Sequence, residues 1–127
     1  MKVSIITINY NSSKYTIKLV DSILKHLQDS LEYEIVITDN ASSSQDYNYL
    51  KENISDDPRI KIFRSDINTG FSGGNMFGYN KSSGEYLLFI NNDCECLNDV
   101  ITPLISFMEE NRSAGLLTGK IFGEDGK

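Results

Sequence analysis

The sequence is poor in residues that bind soft metals or cross-link the chain. Its 127 residues include one histidine and two cysteines. The cysteines, Cys94 and Cys96, lie two positions apart, a spacing at which side chains rarely reach disulfide geometry. A thiolate zinc site would need further soft ligands, and His26 lies far away within a helical pattern. We therefore expect both cysteines to be structural thiols in a reducing compartment.

Basic residues and long apolar runs are also scarce. Lys and Arg together number 12 against 18 Asp and Glu, which gives a net charge of −6. This balance disfavours nucleic-acid binding, because that activity needs a basic face. An anionic substrate would need a local cation or oriented backbone amides. No apolar run approaches the length of a membrane span, and the apolar residues 3–8 do not have the layout of a signal peptide.

The pattern that is present alternates strands and helices within one domain, residues 1–127. Short apolar runs predict five strands, at residues 3–8, 34–38, 59–64, 86–90 and 115–122. Helical periodicity predicts helices at residues 14–28, 45–53, 72–83 and 98–111. In an alternative interpretation the last helix begins later, with Thr102 as cap and Pro103 as first residue. Such an order favours an α/β fold with a mostly parallel sheet and helices on both faces.

The polar corner after residues 86–90 is the first candidate site. The run is continuously apolar, which predicts a strand buried on both faces, and Asn91, Asn92 and Asp93 follow it directly. Ligands of parallel sheets collect beyond the carboxyl ends of the strands. A carboxylate there suits Mg²⁺ or Mn²⁺ carrying a phosphorylated substrate. The simpler interpretation is an ordinary acidic turn.

Two other predicted strands also end in polar residues. Thr7 and Asn9 lie at the end of the first strand, and Asp39 follows the second. If the strand order reverses between the first and fourth strands, these ends face one crevice with the Asn91–Asp93 corner. Residues 59–64 alternate charged and apolar side chains, so we expect this third strand near an edge of the sheet.

A glycine-rich segment, residues 67–79, precedes the fourth strand. It contains four of the nine glycines but matches neither the dinucleotide-binding pattern nor a P-loop. Two interpretations are open. Free amides at the start of the following helix could meet an anion or nucleotide, or Gly73 and Gly74 could allow tight packing of that helix on the sheet.

Taken in order, four motifs resemble the N-terminal half of family 2 inverting glycosyltransferases with the GT-A fold, of the rhamnosyl and polysaccharide-biosynthesis type. The resemblance covers nearly the whole chain and rests on residues 3–11, 37–42, 68–75 and 89–93. It implies a nucleotide-diphosphate sugar as donor and a saccharide or lipid-linked acceptor. It also implies a cytoplasmic protein, with possible peripheral contact with a membrane.

The resemblance assigns roles to residues of this sequence. Thr7 and Asn9 would lie beside the nucleoside, and Asp39 would contact the base or ribose. The nucleotide wall would be formed by Gly70, Phe71 and Asn75, with Asn92 also in the donor site. Asp93, together with Asn91, stands where the family has its metal motif and would hold Mg²⁺ or Mn²⁺ against the diphosphate.

Two departures qualify these expectations. The first position of the metal motif is Asn91 and not Asp, so the site has one charge fewer; Glu95 could assist but is more simply a surface charge. The general base of the family lies beyond the fifth strand, and the turn at residues 123–126 suggests a cut there, so no catalytic residue is assigned. The remaining carboxylates of this region are expected to be solvated charges: Asp99, Glu109, Glu110, Glu124 and Asp125.

Two other functions compete with this one. A nucleotidyltransferase of sugar nucleotides would need a Gly- and Arg-rich loop after the first strand, and residues 9–13 contain neither residue type. A non-catalytic nucleotide-binding or interaction module with the same fold is also compatible with the sequence.

Overall fold

The computed structural model describes residues 1–127 and contains four strands that alternate with four helices. The strands are β1 (Val3–Asn9), β2 (Tyr33–Asn40), β3 (Ile60–Ser65) and β4 (Tyr86–Phe89). The helices are α1 (Ser13–His26), α2 (Ser44–Asn53), α3 (Gly70–Lys81) and α4 (Ile101–Glu110). All strand pairs are parallel, and the sheet order is β3-β2-β1-β4. The predicted α/β fold and the reversal of order between β1 and β4 are therefore confirmed.

The main core lies between the sheet and helices α1, α2 and α4. Alternate residues of β1 and β2 point to this face, where they pack against the apolar stripe of α1. The fully buried members of this cluster include Val3, Ile5, Ile35, Ile37, Leu19, Val20, Ile23 and Leu50. Each such side chain contributes about 1.5–3 kcal/mol by leaving water. Helix α3 covers the opposite face of β1 and β2, so helices lie on both faces as predicted.

The two edges of the sheet differ in how well the sequence anticipates them. Strand β3 is an edge strand, as its charged and apolar alternation predicts. The prediction that residues 86–90 are buried on both faces is wrong, because Leu87 is 38% and Phe89 47% exposed. Strand β4 has only β1 as a neighbour, and α3 packs over β1 and β2 instead of β4.

The region after β4 departs most from the predictions. Residues 115–122 form no strand, and Leu116 is 93% exposed. The prediction of a fifth strand is wrong because no neighbouring strand supplies ladder hydrogen bonds to this segment.

Cys96 is buried and Cys94 half-buried, and neither forms a disulfide. No helix of the structure combines the length and apolar character needed to cross a membrane.

Helix α4 begins at Ile101, between the two predicted starts. Pro103 is its third residue, where the lost N–H has no partner within the helix anyway. Asp99 is not the solvated charge that we expected, since its Oδ1 accepts hydrogen bonds from the N–H groups of Ile101 and Thr102. Glu109 also differs from the prediction, because it pairs with Lys2 across the structure.

Candidate functional site

A cavity of about 420 Å³ opens beyond the carboxyl ends of the central strands. It lies at the point where the strand order reverses between β1 and β4, where parallel α/β sheets bind ligands. Its volume suits a small-molecule site. The walls come from four separate segments and consist of Ile8, Tyr10, Ser12, Asn40, Asn68, Gly70, Phe71, Asn75, Ile90, Asn91, Asn92 and Asp93.

Six of the nine predicted site residues line this cavity. Gly70, Phe71 and Asn75 form one wall at the start of α3, and the corner Asn91–Asp93 after β4 forms another. Sequence reasoning did not assign the other six lining residues. Four of them are sequence neighbours of predicted site residues at the strand ends: Ile8, Tyr10, Asn40 and Ile90.

Thr7, Asn9 and Asp39 are not among the residues that line the cavity. All three are 1% exposed or less. Neighbouring residues on a strand point to opposite faces of the sheet. The cavity is lined by Ile8 and Asn40. Thr7 and Asn9 lie on either side of Ile8, and Asp39 precedes Asn40, so these three side chains face away from the cavity.

Asn9 is the hub of a buried polar network beneath the site. Its Nδ2 lies 3.0 Å from both Asp39 Oδ1 and Asp46 Oδ2, and 3.3 Å from the hydroxyls of Ser13 and Ser42. The amide has two hydrogens, and its two shorter contacts direct them to the carboxylates of Asp39 on β2 and Asp46 on α2, with the two hydroxyls at longer range. A neutral donor placed between two carboxylates satisfies both without adding charge. The network fixes the relative positions of these segments.

Arg64 of β3 adds a positive charge to the end of β2. Its Nε lies 3.5 Å from Asp39 Oδ2, and its Nη2 donates to the carbonyl oxygen of Ser42 at 2.6 Å. The guanidinium also stacks over the ring of Tyr47, 4.4 Å from the ring centre. The buried carboxylate of Asp39 therefore has a cationic partner, as buried charges generally do.

Asp46 of α2 caps the start of α1. Its Oδ1 accepts from the N–H of Ser13 at 3.2 Å and its Oδ2 from the Ser13 hydroxyl at 2.6 Å. Burial acts to raise the pKa of Asp46, but hydrogen bonds from Ser13 and Asn9 outweigh it and the net pKa is lowered. The carboxylate is thus held ionised at the positive end of the α1 dipole.

Asn40 connects the glycine-rich loop to the end of β2 through two side-chain hydrogen bonds. Its Oδ1 accepts from the N–H of Thr69 and its Nδ2 donates to the carbonyl oxygen of Gly70, both at 3.0 Å. The N–H of Gly70 is taken by Asn68 Oδ1 at 2.8 Å. These amides are therefore not free for an anion, and Gly70 has a φ of 75°, a conformation that favours glycine.

The glycines inside α3 serve packing. A Cβ added to Gly74 would lie 2.8 Å from Ile8 Cδ1, and one added to Gly78 would lie 2.6 Å from Ile6 Cγ2. A Cβ on Gly73 would meet the side chain of Thr69 at 2.5 Å. Helix–sheet packing therefore explains Gly74, and close contact with the side chain of Thr69, four residues earlier, explains Gly73.

The Asn91–Asp93 corner carries the donors that a hard cation would need. Asp93 and Asn91 are exposed and face the cavity, whereas Asn92 donates to Ser12 Oγ at 2.7 Å and Thr16 Oγ1 at 3.0 Å. No group of three or more His, Cys, Asp or Glu residues with metal-binding geometry occurs in the chain. One carboxylate and one amide oxygen fit Mg²⁺ or Mn²⁺ only as a partly coordinated ion that the phosphates of a substrate complete.

Two aromatic rings flank the same cavity. Tyr10 is 49% and Phe71 66% exposed, although both rings are large and apolar. Exposed aromatic rings at a cavity are suited to stacking on a planar ligand. The site thus combines stacking surfaces with a carboxylate that can hold a cation.

Structural comparison defines the class of fold. The crystal structure of Staphylococcus aureus TarS residues 1–349 superposes with a TM-score of 0.73 and 25% identity, covering 88% of this chain and 33% of that one. The crystal structure of the same TarS segment in complex with UDP-GlcNAc gives a TM-score of 0.74 at 24% identity. The fold is the GT-A fold, and the chain represents part of such a domain.

Sequence comparison gives the family. The profile of Glycosyl transferase family 2 matches residues 4–127, and the chain belongs to that family. The poly(ribitol-phosphate) beta-N-acetylglucosaminyltransferase TarS of Staphylococcus aureus is 28% identical over 128 residues, which cover 100% of this chain and 22% of TarS. An uncharacterized glycosyltransferase of Rickettsia bellii is 33% identical over 110 residues, covering 87% of this chain and 15% of the relative. The chain thus spans about a fifth or less of these two relatives.

Proposed function

We propose that this chain is the donor-binding part of a glycosyltransferase that takes a sugar from a nucleotide-diphosphate sugar and transfers it, with inversion, to an acceptor hydroxyl. The observation that carries the proposal is the cavity at the reversal of strand order, whose lining includes both Asp93 and the glycine-rich loop. Membership of family 2 supports it. Relatives named as N-acetylglucosaminyl- and glucosyltransferases favour a hexosyl donor.

The lining residues divide into two binding regions. Tyr10 and Phe71 offer ring faces to a nucleobase, and Asn75 offers an amide for hydrogen bonding to the nucleoside. The diphosphate would lie toward Asn91 and Asp93. Asn9 and Asp39 act from beneath, where their hydrogen bonds hold the loops that form these walls.

Asp93, with the side-chain oxygen of Asn91, would hold Mg²⁺ or Mn²⁺ in this site. The ion would supply Lewis-acid stabilisation of the negative charge that develops on the leaving diphosphate. It would also offset the net charge of −6, because the cavity lining contains no Lys or Arg. The lack of a cationic side chain at the cavity also weighs against a nucleotidyltransferase.

The acceptor hydroxyl must lose a proton as it attacks the anomeric carbon, which calls for a general base within hydrogen-bond reach. Asp93 is the only acidic residue of the cavity lining, and we assign it to cation binding. We therefore place the base outside residues 1–127 and expect the chain alone to be inactive.

The acceptor is a separate question. The names of two relatives include poly(ribitol-phosphate), and we propose a saccharide polymer or lipid-linked acceptor, reached from the cytoplasm at a membrane surface.

Titration calorimetry of the intact protein with UDP, GDP and dTDP, each in Mn²⁺ and in EDTA, tests the donor site. We expect one nucleotide to bind clearly better than the others, and about tenfold more tightly in Mn²⁺ than in EDTA. No binding by any of the three under either condition would refute the proposal.

A reciprocal pair of substitutions on the same corner tests the cation site. Asp93→Asn removes one charge and Asn91→Asp adds one, and both side chains are exposed, so neither change should disturb folding. Because affinity for hard cations follows the number of ligand charges, we expect Asp93→Asn to weaken Mn²⁺-dependent nucleotide binding about tenfold and Asn91→Asp to strengthen it. Equal Mn²⁺ dependence of nucleotide binding in both variants and the parent would show that Asp93 does not bind the cation.

A further inference from the structure

A continuous line of hydrogen bonds runs beneath the cavity from the end of β2 to the corner after β4. Asp39 Oδ1 accepts from Asn9 Nδ2 at 3.0 Å, and Asn9 Oδ1 accepts from the Thr16 hydroxyl at 2.7 Å. The same hydroxyl accepts from Asn92 Nδ2 at 3.0 Å. Asn92 is the residue between Asn91 and Asp93, so the line ends inside the corner that faces the cavity.

Thr16 is the one group that joins the two halves of this line. It lies in the first turn of α1, is fully buried and is not part of the cavity lining. Its single proton goes to Asn9 Oδ1, and its lone pair meets an amide hydrogen of Asn92. The second amide hydrogen of Asn92 goes to Ser12 Oγ at 2.7 Å. Every donor in this stretch therefore has one acceptor, and the directions of the bonds are consistent.

We propose that Thr16 is a positioning residue that sets the orientation of the Asn91–Asp93 corner, and so of the Asp93 carboxylate, relative to the Asn9–Asp39 network. The inference deepens the proposed function, because it concerns the same donor site. Groups that orient metal ligands through hydrogen bonds typically change metal affinity 10- to 100-fold when removed. Asn91 and Asp93 are exposed, and Asn92 makes the only side-chain hydrogen bonds from this corner to α1.

The decisive variant is Thr16→Val, which keeps the shape of the side chain but removes the hydroxyl. Asn92 then keeps only Ser12 as partner, and Asn9 Oδ1 loses its donor. We expect the Mn²⁺ concentration for half-maximal nucleotide binding to rise about tenfold. Binding of the same nucleotide in EDTA should change much less, because the cavity walls at Tyr10 and Phe71 are untouched. Thr16→Ser retains the hydroxyl and should restore the parent Mn²⁺ dependence.

Thr102→Val is the matched control for loss of a buried threonine hydroxyl. Thr102 Oγ1 is also buried but has no hydrogen-bond partner, and the residue lies on α4 away from the cavity lining. This variant should leave the Mn²⁺ dependence unchanged, whatever it does to stability.

The possible results separate this inference from the proposed function. If the parent protein binds no nucleotide, the proposed function fails. If the parent shows Mn²⁺-dependent binding and Thr16→Val shows the same dependence, the positioning role is refuted while the donor site stands. A uniform loss of binding in Mn²⁺ and EDTA would also refute it, because that is the result of a merely structural role. Thermal unfolding of Thr16→Val confirms that the variant measured is folded.

Discussion

At the scale of single residues, Asn9 shows how a side chain can matter to a site that it does not touch. It is fully buried, and its amide nitrogen stands 3.0 Å from the carboxylates of Asp39 and Asp46. These two acidic residues can lie close together because a neutral donor separates them. A resemblance of sequence points to such a residue but does not distinguish direct contact with a ligand from support beneath it.

Asn9→Asp tests this interpretation, because it exchanges the donor for a third carboxylate of the same shape. Like charges at this distance in a buried network repel strongly, and we expect the free energy of unfolding at pH 7 to fall by about 3 kcal/mol or more. The loss should shrink toward pH 5 as one carboxylate takes up a proton. Urea unfolding at both pH values measures the effect.

Asn11→Asp is the control for that experiment. Asn11 is exposed, and its Oδ1 accepts from the N–H of Ser43 at 2.8 Å, a bond that a carboxylate can also accept. This variant should be close to the parent in stability. An Asn9→Asp protein as stable as Asn11→Asp would show that the donor role of Asn9 is unimportant.

At the scale of elements, α3 approaches the sheet closely because its inner face is glycine. Gly74 and Gly78 are its buried residues, four apart on one face of the helix. A glycine inside a helix costs about 1 kcal/mol relative to alanine. The close contact of α3 with Ile6, Ile8 and Thr38 must therefore outweigh that cost. It also brings Gly70 and Phe71 to the cavity wall.

Gly78→Ala should destabilise the protein although alanine is the better helix former. The new Cβ would lie 2.6 Å from Ile6 Cγ2 and 2.9 Å from Thr38 Oγ1, so α3 must move outward. We expect a loss of about 1–3 kcal/mol in unfolding free energy, together with weaker nucleotide binding as the wall shifts. Ser72→Ala, on the exposed side of α3, should be neutral or slightly stabilising. Equal stability of the two variants would contradict the packing argument.

At the scale of the whole molecule, Glu34 joins three strands and the connection between α3 and β4. It is fully buried, and its carboxylate accepts from Ser4 Oγ at 2.6 Å, Lys61 Nζ at 2.6 Å and the N–H of Ser83 at 2.7 Å. Burial alone would raise the pKa of Glu34, but these hydrogen bonds outweigh it and lower the pKa from 4.5 to about 2. This network lies at the amino ends of the strands, opposite the cavity.

The shift at Glu34 predicts a defined loss of stability in acid. Because the pKa is lower in the folded state, the stabilisation is complete above about pH 4.5 and is lost as the pH falls toward 2. The shift corresponds to about 3 kcal/mol in the free energy of unfolding. Glu34→Gln should remove this pH dependence and lower stability at pH 7, as urea unfolding between pH 2 and 7 would measure.

Glu110→Gln, at an exposed position near the end of α4, is the control for that series and should follow the parent curve. Parallel curves for the parent and Glu34→Gln would contradict the assignment of acid sensitivity to Glu34.

The sequence by itself determined the order of elements, the parallel sheet and the corner at Asn91–Asp93, because local periodicity and strand-end polarity are encoded in neighbouring residues. It also indicated that β3 lies at an edge. Charged and apolar residues alternate along this strand, a pattern typical of a strand with one face in water. Of the six predicted residues that line the cavity, the corner Asn91–Asp93 follows from these local patterns, whereas Gly70, Phe71 and Asn75 were assigned through the family resemblance.

Only the tertiary structure decided which polar residues face the cavity and which lie beneath it. Thr7, Asn9 and Asp39 differ from Ile8 and Asn40 by one position, and the pleat of the strand sends them to the opposite face. The exposure of β4 and the unpaired state of residues 115–122 depend in the same way on which strands are neighbours. Asn92 lies 76 positions from Thr16 and 80 from Ser12 along the chain. These contacts exist only once the sheet has brought the ends of β1 and β4 together.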